Sequence, residues 1–205
     1  MELPEALQIL RKQDKRGFSQ SIDLIITLKG IDPKKETYST IITMPHAFKK
    51  KNVFGFFTKK SELCEGITAL DFAKYKDAKL AKKLVKKYDI FVAHAKLMPQ
   101  VAAVFGRVLG PTGKMPSPQL GVLMSEDDAQ LKALLGKIDN ALKIRVKELS
   151  VKASIGNESM KDIELAENIT SLYQGLIAVL PVKKDNVRRV LIKTTMGPPV
   201  EVRMA

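Results

Sequence analysis

From Ser19 to Leu28 apolar and polar positions alternate: Ile22, Leu24, Ile26 and Leu28 fall on one side, and Ser19, Ser21, Asp23 and Thr27 on the other. A period of two predicts a strand with one face in a core and the other polar and available. Before it, Pro4 to Arg16 carries the helical spacing of Ala6, Leu7, Ile9 and Leu10, with Pro4 suited to a first turn and Gly17 as the terminator. After it, Tyr38 to Met44 predicts a second strand closed by Pro45, and Val53 to Phe57 a short third, joined through Lys49-Lys50-Lys51.

Between about Lys60 and Leu149 the pattern changes to helices alternating with short apolar runs, as in an α/β unit. Lys74 to Tyr88 predicts an amphipathic helix, with Tyr75, Ala78, Ala81, Leu84, Val85 and Tyr88 on its inner side and lysines around the rest. Ile90 to Ala93 is unbroken and apolar, which suits a parallel strand buried on both faces. Pro99 opens a helix through about Val108, and Ser125 with Asp128 forms a capping box for one that runs to Leu135 and stops at Gly136.

The last third returns to the first style. Ile144 and Val146 alternate with Lys143, Arg145 and Lys147, and Val151, Ala153 and Ile155 alternate with Lys152 and Ser154 up to Gly156. Ser159 and Asp162 cap a long helix striped by Ile163, Ala166, Ile169, Leu172, Leu176 and Val179, ending at Pro181. Val187 to Met196 and Val200 to Met204 are strand-like, separated by Gly197-Pro198-Pro199. Neither outer segment has enough layers to bury its own apolar faces. The expected fold is therefore α+β with two domains: one discontinuous, from 1–59 and 150–205, and an inserted α/β domain over 60–149.

Composition sharpens this picture. The chain has 205 residues, 45% hydrophobic, so a core is affordable, and its formal charge of +13 attracts polyanions. Nucleic acid is the first partner class and an anionic membrane the second. No apolar run approaches the roughly 20 residues needed to span a bilayer, and MELPEAL does not have the form of a signal peptide, so a cytoplasmic protein is expected. Cys64 stands alone and there are two histidines, which leaves no internal disulfide and no zinc spacing; no metal or cofactor is expected.

Candidate chemistry centres on Phe105 to Pro118, FGRVLGPTGKMPSP. Its Gly113-Lys114 resembles a phosphate-binding loop, but Val108 stands where the first glycine belongs and Met115 where the hydroxyl belongs. A rigid surface loop is the plainer expectation, since Pro111, Pro116 and Pro118 restrict the backbone. Asp127-Asp128 fits the first turn of a helix better than acid-base work. His94 ends an apolar strand where open α/β sheets bind ligands, though a structural histidine is more common. His46 suits a turn or a phosphate contact. With no nucleophile beside a base and no paired carboxylates, no catalysis is expected.

Four motifs in order, FSQSIDLIITLKGID (Phe18 to Asp32), MPH (Met44 to His46), GRVLGPTGKMPSP and KTTMGPP (Lys193 to Pro199), resemble the ribosomal protein L-one family of the large subunit's mobile side stalk. IGNESM (Ile155 to Met160) and the lysine of GPTGKMP look like the archaeal branch. The resemblance implies an α+β RNA-binding domain from both chain ends and an inserted Rossmann-like domain on a two-stranded hinge. It places one part of the RNA surface on Phe18, Ser19, Ser21 and Asp23, and the other on Thr194, Thr195, Met196 and Gly197. Lys15, Arg16, Lys152 and Lys193 would neutralise phosphate around them. Short hydroxyls and a glycine permit close approach to ribose and phosphate, and Phe18 and Met196 offer apolar surface to sugars and bases.

The family implies the partners too: large-subunit rRNA, exit-site tRNA whose release stalk movement assists, and the protein's own mRNA, which it represses. A monomer outside the ribosome is expected. An assembly factor on the same domain is the alternative among binding proteins, and a nucleotide-dependent enzyme the alternative from another class. The chain departs from the family at Ala47, where glycine usually follows the histidine, and at Thr112, where the bacterial form has arginine. No contact needing positive φ is expected at the first, nor a phosphate contact at the second. Gln119 to Ser125 carries no assigned role.

Overall fold

The structure, a computed structural model, describes residues 1–13, 17–32, 38–58, 64–76, 78–118, 120–124 and 128–204. The chain divides into two compact units, Met1–Lys49 with Asn140–Ala205 and Lys50–Asp139. In chain order come α1 (Leu3–Lys12), β1 (Ser21–Leu28) and β2 (Tyr38–Thr43). Then follow β3 (Val53–Phe57), β4 (Gly66–Thr68), a 3-10 segment (Ala69–Lys76), α2 (Ala78–Lys87), β5 (Ile90–His94), α3 (Met98–Thr112), β6 (Val122–Leu123) and α4 (Asp128–Asn140). The chain closes with β7 (Ala141–Val146), β8 (Ser150–Asn157), α5 (Asp162–Val179), β9 (Val187–Thr194) and β10 (Val200–Val202).

The first unit is built on a four-stranded antiparallel sheet in the order β10-β9-β1-β8. Period-two alternation turns Ile22, Leu24 and Ile26 inward, where they share a core with Val190 and Ile192 of β9 and the stripes of α1 (Ala6, Leu7, Leu10) and α5 (Leu165, Ile169, Leu172, Leu176). Ser21, Asp23, Ile25 and Thr27 are left half-exposed on the outer face. A separate pair, β2 with β7, contributes Ile42, Ile144 and Val146 to the same core.

The second unit is a parallel sheet in the order β4-β3-β5-β6. Its strands are apolar on both sides because both are covered. Phe54, Phe56, Phe91 and Ala93 pack with α2 and α3, and Phe57, Val92 and Leu123 with Leu131 and Ile138 of α4.

Several boundaries differ from the sequence pattern, each for a physical reason. The units meet at 49/50 and 139/140 rather than 59/60 and 149/150. Val53–Phe57 lies in the parallel sheet of the second unit, since four of its five residues are buried and only a strand covered on both faces accommodates that. Conversely β7 belongs to the first unit through its pairing with β2. Residues 74–76 are 3-10, and the α-helix begins at Ala78. The helix of α4 passes Gly136 to Asn140 because Ile138, fully buried, continues the apolar spacing of Leu131; that burial outweighs the roughly 1 kcal/mol helix penalty of one glycine. Ser125, the proposed cap of this helix, lies outside the described residues. Ser159 caps nothing: α5 starts at Asp162, where the Lys161 N–H donates to Glu164 Oε2 at 3.3 Å.

The glycine- and proline-rich signature is not a loop from its start. Phe105 is fully buried inside α3, which continues through Gly110 and Pro111 to Thr112. Gly113, at φ 72°, stops it in the left-handed conformation, and the Lys114 N–H closes onto Leu109 O at 3.1 Å.

Candidate nucleic-acid interface

The two segments that the sequence marks for RNA meet at one end of the four-stranded sheet. β1 and β9 pair with Ile22 opposite Thr194 and Asp23 opposite Lys193. Just beyond the ladder, the Thr195 N–H and its Oγ1 hydroxyl both donate to Ser21 O, at 3.0 and 3.1 Å, across 174 positions of sequence.

Two glutamines fix the turn that follows. Gln20 is 3% exposed; its Oε1 accepts the Met196 N–H at 3.0 Å, while its own N–H and Nε2 donate to the Glu158 carboxylate at 3.2 and 3.0 Å. The Glu158 N–H returns a bond to Gln20 O at 3.0 Å. Arg11 holds this corner from α1, donating to Glu158 O, Met160 O and Asp162 Oδ1 at 3.0, 2.5 and 2.5 Å. On the other side Gln13 Oε1 accepts the Thr194 hydroxyl at 3.3 Å, and Gln13 Nε2 donates to Pro198 O, also at 3.3 Å. The turn is thus tied at both ends before any ligand arrives, which lowers the ordering cost of binding.

What remains exposed is a mixed surface. Phe18 and Met196 are 57% and 62% exposed, large apolar side chains held in water, with Ser19 and Thr195 exposed and Ser21 half-buried beside them. Thr194 differs from expectation: at 2% exposed it faces the core like its partner Ile22, so its side chain supports the turn from beneath. Gly197 is likewise set from below, since a Cβ there would overlap Gln13 Oε1 and the Thr194 hydroxyl. Lys193 and Asp23 share the outer face, and Lys152 lies on β8 opposite Ile25. Lys15 and Arg16 lie outside the described residues.

Two concavities flank this face. One of about 560 Å³ is lined by Leu7, Leu10, Phe18, Ser19, Ile22 and Thr194. The other, about 360 Å³, is lined by Lys143, Arg145, Lys147 and Lys152 with Glu148, Ser150 and Ser154, a net basic set. The Ser154 hydroxyl is buried there without a hydrogen-bond partner.

Comparison with known sequences decides the family. The ribosomal protein L1p/L10e family matches residues 10–198. The chain belongs to that family. It is similar to the large ribosomal subunit protein uL1 of Nanoarchaeum equitans, 35% identical over 94% of this chain and 95% of that protein. The uL1 proteins of Thermofilum pendens and Pyrococcus horikoshii are 34% and 32% identical, each over 98% of this chain and 92% and 95% of their own lengths.

The remaining candidates have structural work. Lys114, the lysine of the phosphate-loop resemblance, donates to Val85 O and Tyr88 O at 2.8 and 2.7 Å and so caps the carbonyl end of α2. Thr112 bonds back to Val108 O and Leu109 O. His46 shapes its turn: its N–H and carbonyl bond to the Asn168 amide at 3.0 and 2.9 Å, and Nε2 lies 2.6 Å from Glu167 Oε2. Ala47 has no positive φ, so the turn forms without the family's glycine. His94 is 6% exposed, and its Nδ1 has no hydrogen-bond partner. Burial pushes the Cys64 thiol up to about 11.

The sequence pattern missed Gln13, Gln20, Glu158 and the basic concavity. Only the last had a signal, the alternation of Lys143, Arg145 and Lys147 with apolar residues. Glutamines and a glutamate in loops carry no periodicity, and their roles emerge only when three distant segments meet.

Proposed function

We propose that this chain is a constituent of the large ribosomal subunit that holds a folded rRNA segment at the base of the mobile side stalk. The observation that carries this reading is the sheet end where Phe18, Ser19, Ser21, Thr195 and Met196 come together with two large apolar side chains exposed, in a chain of this family. The interface works by shape. Hydroxyls and backbone groups of the tied turn approach ribose and phosphate, Phe18 and Met196 lie against sugars or bases, and Lys193 and Lys152, with Lys15 and Arg16, supply phosphate attraction. Nothing is transformed.

Membership of the family motivates two further proposed roles: assistance to exit-site tRNA release through movement of the stalk, and repression of the protein's own mRNA, whose fold would compete with rRNA for the tied turn. Recovering the protein from its native cells with bound RNA and sequencing that RNA tests the set. Enrichment of one stalk segment of large-subunit rRNA, with a single messenger segment of similar fold, is expected. Uniform coverage of ribosomal and messenger RNA would contradict it.

A further inference from the structure

The second unit carries a charged surface that this role does not use. On α2, Lys79, Lys82, Lys83 and Lys86 are exposed at the i, i+3, i+4, i+7 spacing of one helix face, opposite the buried Ala81, Leu84, Val85 and Tyr88. The helix has no acidic residue. Among the described residues, three nearby carboxylates bond elsewhere: Asp71 with Lys74, Glu65 with Lys87 and Tyr88, and Asp89 with the Asn52 N–H. Among the described residues no carboxylate pairs with Lys82, Lys83 or Lys86.

Two ordinary explanations of such a stripe fail. Helix stability would favour glutamates interspersed with the lysines, whereas here like charges face each other at 79/82, 79/83, 82/86 and 83/86, each pair destabilising. Compensation of the helix dipole explains only the last turn, where Lys86 and Lys87 stand and Lys114 sits on the last carbonyls, and not Lys79, Lys82 and Lys83.

We infer that the α2 stripe is a second nucleic-acid surface, which binds the phosphate backbone of structured RNA without reading sequence. The four lysines span about two turns, or roughly 10 Å, which matches adjacent phosphates along a backbone. Point charges on flexible stems, with no aromatic ring or arginine among them, suit phosphate neutralisation rather than base recognition.

The test uses the full chain and a 30-base-pair RNA duplex of arbitrary sequence, titrated at several salt concentrations. K82Q/K83Q/K86Q keeps helix propensity and should weaken binding at least tenfold at low salt, lowering the salt slope by about 0.9 per lysine removed. K183Q/K184Q/R203Q, which removes the same charge elsewhere, should leave both nearly unchanged. Equal losses in the two variants would reduce the effect to net charge and overturn the inference. So would unaltered duplex binding in the α2 variant, or loss confined to phosphatidylcholine vesicles containing phosphatidylserine, which would assign the stripe to a lipid surface. T195A/M196A retains duplex binding if this surface is separate, so failure of the rRNA interface and failure of the stripe give different patterns.

Discussion

Gln20 shows how one side chain can organise an interface it does not form. It is buried, and every polar group of its side chain is used, one on the Met196 N–H and one on Glu158. Q20E would set two carboxylates against each other and should cost about tenfold in rRNA affinity, about 1.4 kcal/mol. The exchange Q20E/E158Q keeps both contacts, with the carboxylate at 20 accepting from Met196 and the 20–158 hydrogen bond reversed in direction, so it should recover most of the affinity and slow the hydrogen exchange of the Met196 amide relative to Q20E. Loss in the exchanged pair as deep as in Q20E would refute the tie. Cys64 gives a second test at this scale. With the thiol pushed up to about 11 by burial, the native chain should react with a disulfide reagent at pH 8 far more slowly than the urea-unfolded chain. The raised value contributes stability that is complete below the unfolded thiol's value and is lost as pH rises through about 11.

At the scale of elements, the signature that first suggests a nucleotide loop is a helix end joined to a helix cap. Gly113 stops α3 and turns the chain so that Lys114 reaches the carbonyls of α2. K114M should remove two charge-assisted bonds and destabilise the second unit by about 1–3 kcal/mol, seen as faster amide exchange in α2, with RNA binding at the sheet edge unchanged. Added ATP or GTP at millimolar concentration should show no saturable binding. The elements themselves are legible where one period rules, as in β1 and the stripe of α5, or where an apolar run is unbroken, as in β5. Boundaries were not, where burial overrode a local signal: α4 crosses Gly136 because Ile138 has a core site waiting, and α3 absorbs Gly110-Pro111 at its last turn. Val53–Phe57 has an apolar run like that of Ile90 to Ala93, yet its nearness to β2 in sequence groups it with the first segment, whereas it pairs with β5 in the second unit.

For the whole molecule, the sequence carried the candidate interface as two short motifs whose proximity it could not state. Pairing of β1 with β9 joins them, and that pairing depends on contacts across most of the chain length. The same register explains why Thr194 turns inward while Thr195 and Met196 stay exposed, a distinction that motif matching alone does not make. The central claim is that this sheet end holds stalk rRNA. Its most direct test is the affinity of T195A/M196A for the isolated stalk rRNA, measured beside T195S as a control for the Ser21 hydrogen bond. The double variant should bind at least tenfold more weakly, about 1.4 kcal/mol, with an unchanged circular dichroism spectrum, and T195S close to the parent. Unchanged affinity in a folded T195A/M196A protein would contradict the account.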